Sequence, residues 1–195
     1  MGERLAGRLR DEGIELDGVA LGRLERFVDL LMEWNGTHNL TGARTVEAVG
    51  DHVIDALYPL TFVDRPESLL DVGTGAGFPG LMLAIAWPDL PTVLTEPRNK
   101  RAAFLRWAAM ELGLERVETV RMRVEELVHA PFGLITSRAV TDTKLLLALT
   151  AHLSDAATHY LFYKGARADR ELAALETQPN YAIVHHAKRN YVWIK

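Results

Sequence analysis

The stretch from Ser68 to Gly80 constrains the fold of this chain more than any other. An apolar run at 69–72 predicts a buried strand of a parallel sheet, and a second at 81–87 predicts a buried helix. Four glycines lie within the eight residues 73–80. A strand, a glycine turn and a helix bring bare backbone N–H groups and a helix N-terminus up to a ligand. Glycine supplies the positive φ of such a turn and omits a colliding Cβ. We therefore expect a cofactor site here.

Strands alternate with helices along the rest of the chain. Strands are predicted at 92–95, 117–120, 134–136 and 159–163, and helices at 99–112, 143–153 and 169–175. Two β-rich runs, 181–185 and 191–194, close the chain as a hairpin and form an antiparallel edge. This order predicts an α/β fold with a Rossmann-like, doubly wound and mostly parallel sheet.

The residues before the first strand predict helices only. Apolar positions recur at helical spacing in three segments: 3–12, a segment capped by Asp17 that runs to about Asn35, and 46–57. Residues 35–42 have the composition of a turn. We expect 1–60 to form a helical cap that does not fold independently and 61–195 to form the Rossmann-like domain, with the boundary at 60–67.

Composition excludes several kinds of chemistry. The chain has 195 residues, 48% of them hydrophobic and 25% charged, which is typical of one ordinary globular core with an appendage. It has no cysteine, which excludes disulfides, thiolate zinc sites and a cysteine nucleophile, and no metal site is expected. We find no signal-peptide core and no apolar run near the about 20 residues of a membrane span, so a cytoplasmic protein without membrane contact is expected.

The charge distribution leaves a nucleic-acid partner open. The net charge of −4 argues mildly against one. However, residues 98–123 contain seven Lys or Arg and three acids, and a local basic face is enough for phosphate contacts. A solvated helix face would give the same pattern, so charge alone does not decide between the two.

Two cofactor classes fit the glycine stretch. Residues 75–80 match the G-x-G-x-x-G pattern of nicotinamide sites. The glycines also match the Asp-x-Gly-x-Gly-x-Gly pattern of S-adenosylmethionine sites, in which Asp71 would face a cationic amine. In both classes Glu96, after the second strand, would hold ribose hydroxyls. The terminal hairpin and the lack of a substrate domain favour S-adenosylmethionine, with S-adenosylhomocysteine as product, and a nicotinamide-dependent oxidoreductase stays as the alternative.

A set of motifs also resembles a known family. In chain order they are Trp34-Asn35, Asn39-Leu40-Thr41, His52-x-x-Asp55, the run 71–80, Lys100-Arg101, the run 123–126, Ser137-Arg138-Ala139 and Lys164-Gly165. From about residue 16 to the C-terminus the chain is similar to the bacterial 16S ribosomal RNA guanine-N7 methyltransferases, also called glucose-inhibited division protein B. The resemblance implies a class I S-adenosylmethionine-dependent methyltransferase. It would act, as a monomer, on one guanine in the decoding-region loop of 16S rRNA within the small subunit and leave 7-methylguanosine.

The resemblance also implies roles for particular residues. The cofactor-binding set is Asp71, Gly73, Gly75, Gly77, Phe78, Glu96, Val124, Glu125 and Arg138. Gly73, Gly75 and Phe78 would surround the methionine part and the ribose, and Val124 and Glu125 the adenine. The candidate RNA contacts are Lys100, Arg101, Arg123 and Lys164. Asn39 and Arg138 are the candidates for positioning the reactants.

Plainer interpretations stay open for several of these side chains. Phe78 could belong to the core, and Asn39 could be a helix cap. Arg138 could form a structural ion pair. His52 and Asp55, three residues apart on one helical face, are expected to form a structural pair.

The reaction needs positioning more than acid–base catalysis. Guanine N7 carries an in-plane lone pair and no proton, so it can attack a sulfonium methyl group without a general base. The missing cysteine excludes C5 methylation of pyrimidines, and Ser137-Arg138-Ala139 stands where amine methyltransferases carry an Asn/Asp-Pro-Pro-Tyr/Phe motif. A small-molecule methyltransferase and a non-catalytic binding module stay as alternatives.

The sequence departs from the family pattern at two places. Ala56 stands where the family often has serine, and the segment 186–190 between the last two strands is short. Both bear on substrate contacts more than on cofactor binding.

Overall fold

Strands and helices alternate from residue 69 onward, as the sequence predicts. The computed structural model describes residues 2–175 and 179–195. The helices in these ranges are α1 (Gly2–Asp11), α2 (Gly18–His38), α3 (Val46–Leu57), α4 (Gly80–Ala86), α5 (Asn99–Glu111), α6 (Thr143–Thr150) and α7 (Ala168–Ala173). The strands are β1 (Leu69–Val72), β2 (Thr92–Thr95), β3 (Val117–Val120), β4 (Leu134–Arg138), β5 (His159–Lys164), β6 (Tyr181–His186) and β7 (Arg189–Ile194).

The strands of the described ranges form one seven-stranded sheet in the order β3-β2-β1-β4-β5-β7-β6. The first five strands of this order are parallel to one another, and β7 runs antiparallel between β5 and β6. Val72 at the end of β1 pairs with Thr95 of β2 on one side and Ser137 of β4 on the other. The carboxyl ends of three central strands therefore meet at one edge, where doubly wound sheets bind ligands. The predicted fold class is confirmed.

The helical cap and the sheet share one apolar layer. Phe27 of α2 is fully buried, and its ring lies 5.5 Å from that of Phe78 after β1 and 6.1 Å from that of Phe104 in α5. A second apolar layer covers the opposite face of the sheet, where α6 and α7 pack. Sheet residues alternate between the two layers because successive side chains of a strand point to opposite faces. Leu69, for example, belongs to the first layer and Leu70 to the second.

Helix α2 begins where the sequence predicts and ends later. The Asp17 carboxylate caps it by accepting the Ala20 N–H at 2.7 Å. The expected turn at 36–38 is wrong, because α2 continues through these residues and Asn39 caps it in a left-handed conformation, with φ 50°. Asn35 is buried because its side chain binds the loop that follows, donating to the Ala43 carbonyl at 2.8 Å.

The sequence indicates no membrane span, and none of the helices in the described ranges is both long enough and apolar enough to cross a bilayer.

Candidate cofactor and RNA site

The glycine-rich loop is anchored from below by Asp71. Its Oδ2 accepts the N–H of Gly80 at 2.8 Å. A Cβ at Gly80 would lie 2.6 Å from the same oxygen, so only glycine allows this close approach. Three further glycines of the loop have positive φ, at 66° for Gly73, 63° for Gly75 and 102° for Gly77. The backbone of the loop therefore requires glycine whether or not a ligand is bound.

The Asp71 side chain lies beneath the glycine-rich loop and not in an open ligand site. It is fully buried, and no hydrogen-bond partner within the described residues reaches its Oδ1. Burial raises the pKa of Asp71 to about 6, against the lowering effects of the nearby Thr74 hydroxyl and the Gly80 amide. The carboxylate lies beneath the loop and fixes its shape through Gly80, while the predicted contact with a cationic amine of the cofactor stays a prediction.

The space at the loop glycines is not uniform. A Cβ at Gly77 would lie 3.2 Å from the Leu81 side chain, so the missing side chain of this glycine allows the helix to pack closely. A Cβ at Gly73 would lie 2.6 Å from Val140, whereas the nearest atoms to one at Gly75 are 3.9 Å away. The loop backbone is therefore free of close neighbouring side chains at Gly75, as expected for a ligand site, whereas the Val140 side chain covers Gly73.

Glu96 forms one wall of a cleft of about 300 Å³ at the carboxyl ends of β1 and β2. Its side chain is buried, and two backbone amides fix it: Gly75 N–H donates to Oε2 at 3.1 Å and Arg98 N–H donates to Oε1 at 2.9 Å. The Arg101 guanidinium lies 3.9 Å from Oε2. The two oxygens keep lone pairs that can accept the two hydroxyls of a ribose.

The cleft brings together six of the predicted residues. They are Gly73, Glu96, Arg101, Arg123, Val124 and Glu125. Val124 is buried and Glu125 is exposed, and both follow β3 in a short 3-10 helix. Four of the nine cofactor candidates and two of the four RNA candidates thus line one hollow.

Sequence reasoning missed other lining residues. Arg98, Met122 and Val140 also line the cleft. Arg98 lies two residues after Glu96, so the sequence could have indicated its place at the cleft. No sequence pattern indicates the place of Val140, because the left-handed backbone of Ala139, with φ 56°, turns Val140 over Gly73. Among the described residues no group of three or more His, Cys, Asp or Glu could hold a metal ion.

Phe78 lies in the core, one of the two interpretations left open. It is 3% exposed, and its ring packs edge-on against Phe27. The Arg138 guanidinium carbon lies 4.8 Å from the ring centroid, a cation–π contact. Phe78 therefore supports the cofactor loop from the cap side and does not line the cleft.

Arg138 at the end of β4 forms an ion pair with Asp55. The expected pair of His52 with Asp55 is therefore wrong. Asp55 Oδ2 accepts the Arg138 Nη1 hydrogen at 3.1 Å, and the same carboxylate binds Arg189. Burial acts to raise the pKa of Asp55, but hydrogen bonds from Arg189 and the charges of both arginines hold it below its ordinary value. His52 contacts Phe78 instead, with ring centroids 5.6 Å apart.

The predicted RNA contacts divide into exposed and buried side chains. Lys100 and Arg123 are exposed, and Arg101 is half-buried at the cleft. Lys164 is 7% exposed, and its Nζ donates to the Thr141 carbonyl at 2.8 Å and pairs with Glu171 at 2.8 Å. The expectation that Lys164 reaches phosphate is therefore corrected.

Asn39 acts as the cap of α2. Its side-chain oxygen accepts a hydrogen bond from Arg44 Nη2 at 2.9 Å. The helix-cap interpretation left open by the sequence thus describes its place in the fold.

Comparison with known proteins decides the family. The family model of rRNA small subunit methyltransferase G matches residues 20–192. The chain belongs to this family. It is 46% identical to the ribosomal RNA small subunit methyltransferase G of Wolinella succinogenes over 189 residues, 97% of this chain and 96% of the relative. The protein of the same name from Halorhodospira halophila is 44% identical over 172 residues, 88% of this chain and 82% of the relative.

Solved structures agree with the fold. A mutant of MtNAS in complex with S-adenosylmethionine matches with a TM-score of 0.60 at 16% identity, covering 90% of this chain and 76% of the other. The ribosomal protein L11 methylase of Lactobacillus delbrueckii subsp. bulgaricus matches with a TM-score of 0.58 at 16% identity, covering 80% of each chain. These likenesses show the fold alone. Membership of the rRNA small subunit methyltransferase G family confirms the resemblance seen in the motifs and excludes the nicotinamide alternative.

Proposed function

We propose that this protein transfers a methyl group from S-adenosylmethionine to N7 of one guanine in the decoding region of 16S rRNA. Its family is one of ribosomal RNA methyltransferases, and S-adenosylmethionine-dependent methylation of RNA is the corresponding reaction class. The observation that carries the proposal is the Glu96 carboxylate, which two backbone amides fix at the wall of a cleft with basic residues around it.

The residues of the cleft fit an adenosyl cofactor. S-adenosylmethionine supplies an electrophilic methyl group on a sulfonium. Glu96 would accept the ribose hydroxyls, because its oxygens are held in place by Gly75 and Arg98 and retain free lone pairs. Val124 and Glu125, across the cleft, would contact the adenine. Gly75 leaves the loop without a side chain beside them.

Positioning would supply most of the rate enhancement. N7 of guanine has no proton to remove, so the site needs no general base. Holding the nitrogen in line with the methyl group and the sulfur contributes about 7–11 kcal/mol at best, through orientation alone. The product guanine is cationic, and the carboxylates around the cleft stabilise a developing positive charge.

The basic side chains beside the cleft would hold the RNA. Lys100 and Arg123 are exposed, and Arg101 and Arg123 line the cleft. Phosphate contacts made by these cations would bring the target base to the same hollow as the cofactor. We further infer that the substrate is the RNA within the small ribosomal subunit, and that the protein acts as a cytoplasmic monomer.

Methylation of small subunits that lack the modification tests the proposal. With tritium-labelled S-adenosylmethionine, label is expected in 16S rRNA at one guanine, and borohydride reduction with aniline cleavage should map it to N7. Glu96→Ala should lose most of this activity. Glu111→Ala on α5, which removes an exposed ion pair with Arg26 of α2, is the matched control and should keep this activity. Label that never enters the RNA, or that enters at another atom, would contradict the proposal.

A further inference from the structure

One carboxylate joins the cap, the sheet edge and the C-terminal hairpin. Asp55 lies on α3, Arg138 at the end of β4 and Arg189 at the start of β7. Arg189 binds Asp55 with both arms of its fork, through Nε to Oδ1 at 2.8 Å and Nη2 to Oδ2 at 2.9 Å. Arg138 makes a single bond to Oδ2 at 3.1 Å. The Tyr191 hydroxyl donates to Oδ1 at 3.2 Å.

The charges in this cluster do not cancel. Arg189 takes both oxygens of Asp55 in a bidentate pair, which is the strongest match for one carboxylate. Arg138 shares that carboxylate by one bond, so Arg138, Arg189 and Asp55 together carry one net positive charge. The Arg138 side chain is only 14% exposed, and its guanidinium lies over the Phe78 ring. Asp71 also acts on Arg138 electrostatically from beneath the loop, but it forms no hydrogen bond with this arginine. Arg138 therefore keeps N–H donors that the carboxylate of a ligand can accept.

The cluster lies where the far end of the cofactor would reach. Ala139 and Val140, which directly follow Arg138, line the cleft, and Phe78 follows the loop glycines. With the adenine beside Val124 and the ribose on Glu96, the amino-acid part would extend past the loop toward Arg138. The only anionic group of S-adenosylmethionine is the carboxylate of that part.

We propose that Arg189 is a positioning residue, which occupies Asp55 so that Arg138 keeps its charge for the carboxylate of the cofactor's amino-acid part. This inference rests on the proposed function. Without Arg189, Asp55 would pair fully with Arg138 and neutralise it. Arg189 is delivered by the short hairpin connection, which the sequence marks as a departure from the family pattern. That connection is a turn at Ala187 and Lys188.

Two ligands separate this role from a merely structural one. S-adenosylhomocysteine has the amino-acid carboxylate, and 5′-methylthioadenosine has the same adenosyl thioether without it. Arg189→Gln should weaken S-adenosylhomocysteine binding about fivefold and leave 5′-methylthioadenosine unchanged, as measured by titration calorimetry. Arg189→Lys keeps the charge but has no fork, so it should lose about twofold for the first ligand only. General damage to the fold would weaken both ligands together.

Arg8 on α1 offers a matched control, because its carboxylate partner lies on the same helix as Asp55. Arg8 pairs with Asp51, one turn before Asp55 on α3, and has no contact with Arg138 in the structure. Arg8→Gln should therefore leave both affinities unchanged.

The outcomes separate the inference from the function on which it rests. If the unaltered protein bound neither ligand, the proposed function and this inference would both be wrong. If it bound both, and the Arg189 variants changed the two affinities equally or not at all, only the positioning role would be overturned. Should Arg189→Gln fail to fold, as judged by thermal melting, Arg189→Lys alone decides by the same comparison.

Discussion

Replacing Glu96 tests the cofactor site most sharply, because the structure holds this carboxylate by named contacts. Its two oxygens accept the Gly75 and Arg98 amides at 3.1 and 2.9 Å, and Arg101 lies 3.9 Å away. The side chain is therefore oriented before a ligand arrives. In Glu96→Ala a ribose would lose its hydrogen bonding to this carboxylate, and the loss of one such bond costs about 1.5–3 kcal/mol. Since about 1.4 kcal/mol is a factor of ten, the dissociation constant should rise roughly tenfold to a hundredfold or slightly more.

Titration calorimetry with S-adenosylhomocysteine measures this change. Because 5′-methylthioadenosine retains the ribose, Glu96→Ala should weaken both ligands by the same factor, unlike the Arg189 variants. Glu111→Ala on α5 serves as the control and should bind normally. Thermal melting shows whether the loss of the Gly75 and Arg98 amide contacts has unfolded the site. A folded Glu96→Ala protein whose dissociation constants stay within twofold of the original would refute the ribose role.

Three further predictions concern the loop, the RNA and pH. Gly75→Val should abolish S-adenosylhomocysteine binding, because a β-branched residue is strained at φ 63°, whereas Gly22→Val on α2, with open space around it, should bind in calorimetry as before. Arg123→Ala should weaken RNA binding, lower the salt slope of log Kd by about one and spare S-adenosylhomocysteine affinity; an equal loss of both in filter binding would reject the phosphate role. Burial raises the pKa of Asp71 from 3.8 to about 6, so the folded protein holds this proton more tightly than the unfolded chain. The free energy of unfolding should therefore fall by roughly 3 kcal/mol as pH rises through this interval. Asp71→Asn should remove that loss of stability. Urea denaturation at pH 4 and pH 7 gives the free energy of unfolding of both proteins, and a difference between them that is the same at both pH values would contradict the prediction.

The sequence predicts the parts of the fold that short-range patterns determine. The strand before the glycines, the Asp17 cap and the position of Glu96 after β2 follow from apolar periodicity and turn chemistry. The parallel order of the strands places Glu96 beside the loop, because the ends of neighbouring strands meet at one edge. Because these patterns are local, a single sequence is enough to predict them.

The contacts that sequence reasoning missed depend on how the chain folds in three dimensions. Asp55 and Arg189 are 134 residues apart, and no local spacing links them. Lys164 ends a strand like a ligand-binding cation, yet Glu171 on the next helix binds it. Gly77 is a predicted cofactor contact and Gly80 completes the same glycine pattern, but the missing side chains of the two accommodate Leu81 and the anchoring aspartate. A glycine pattern shows where a backbone comes close to something, and the partner is known only when the fold is known.

A crystal structure of the protein with S-adenosylhomocysteine would show whether Glu96 and the cleft hold the cofactor. We expect the ribose hydroxyls within hydrogen-bond distance of the Glu96 carboxylate and the adenine beside Val124 and Glu125 in the same cleft. An S-adenosylhomocysteine molecule bound elsewhere, with Glu96 still held only by the Gly75 and Arg98 amides, would contradict it.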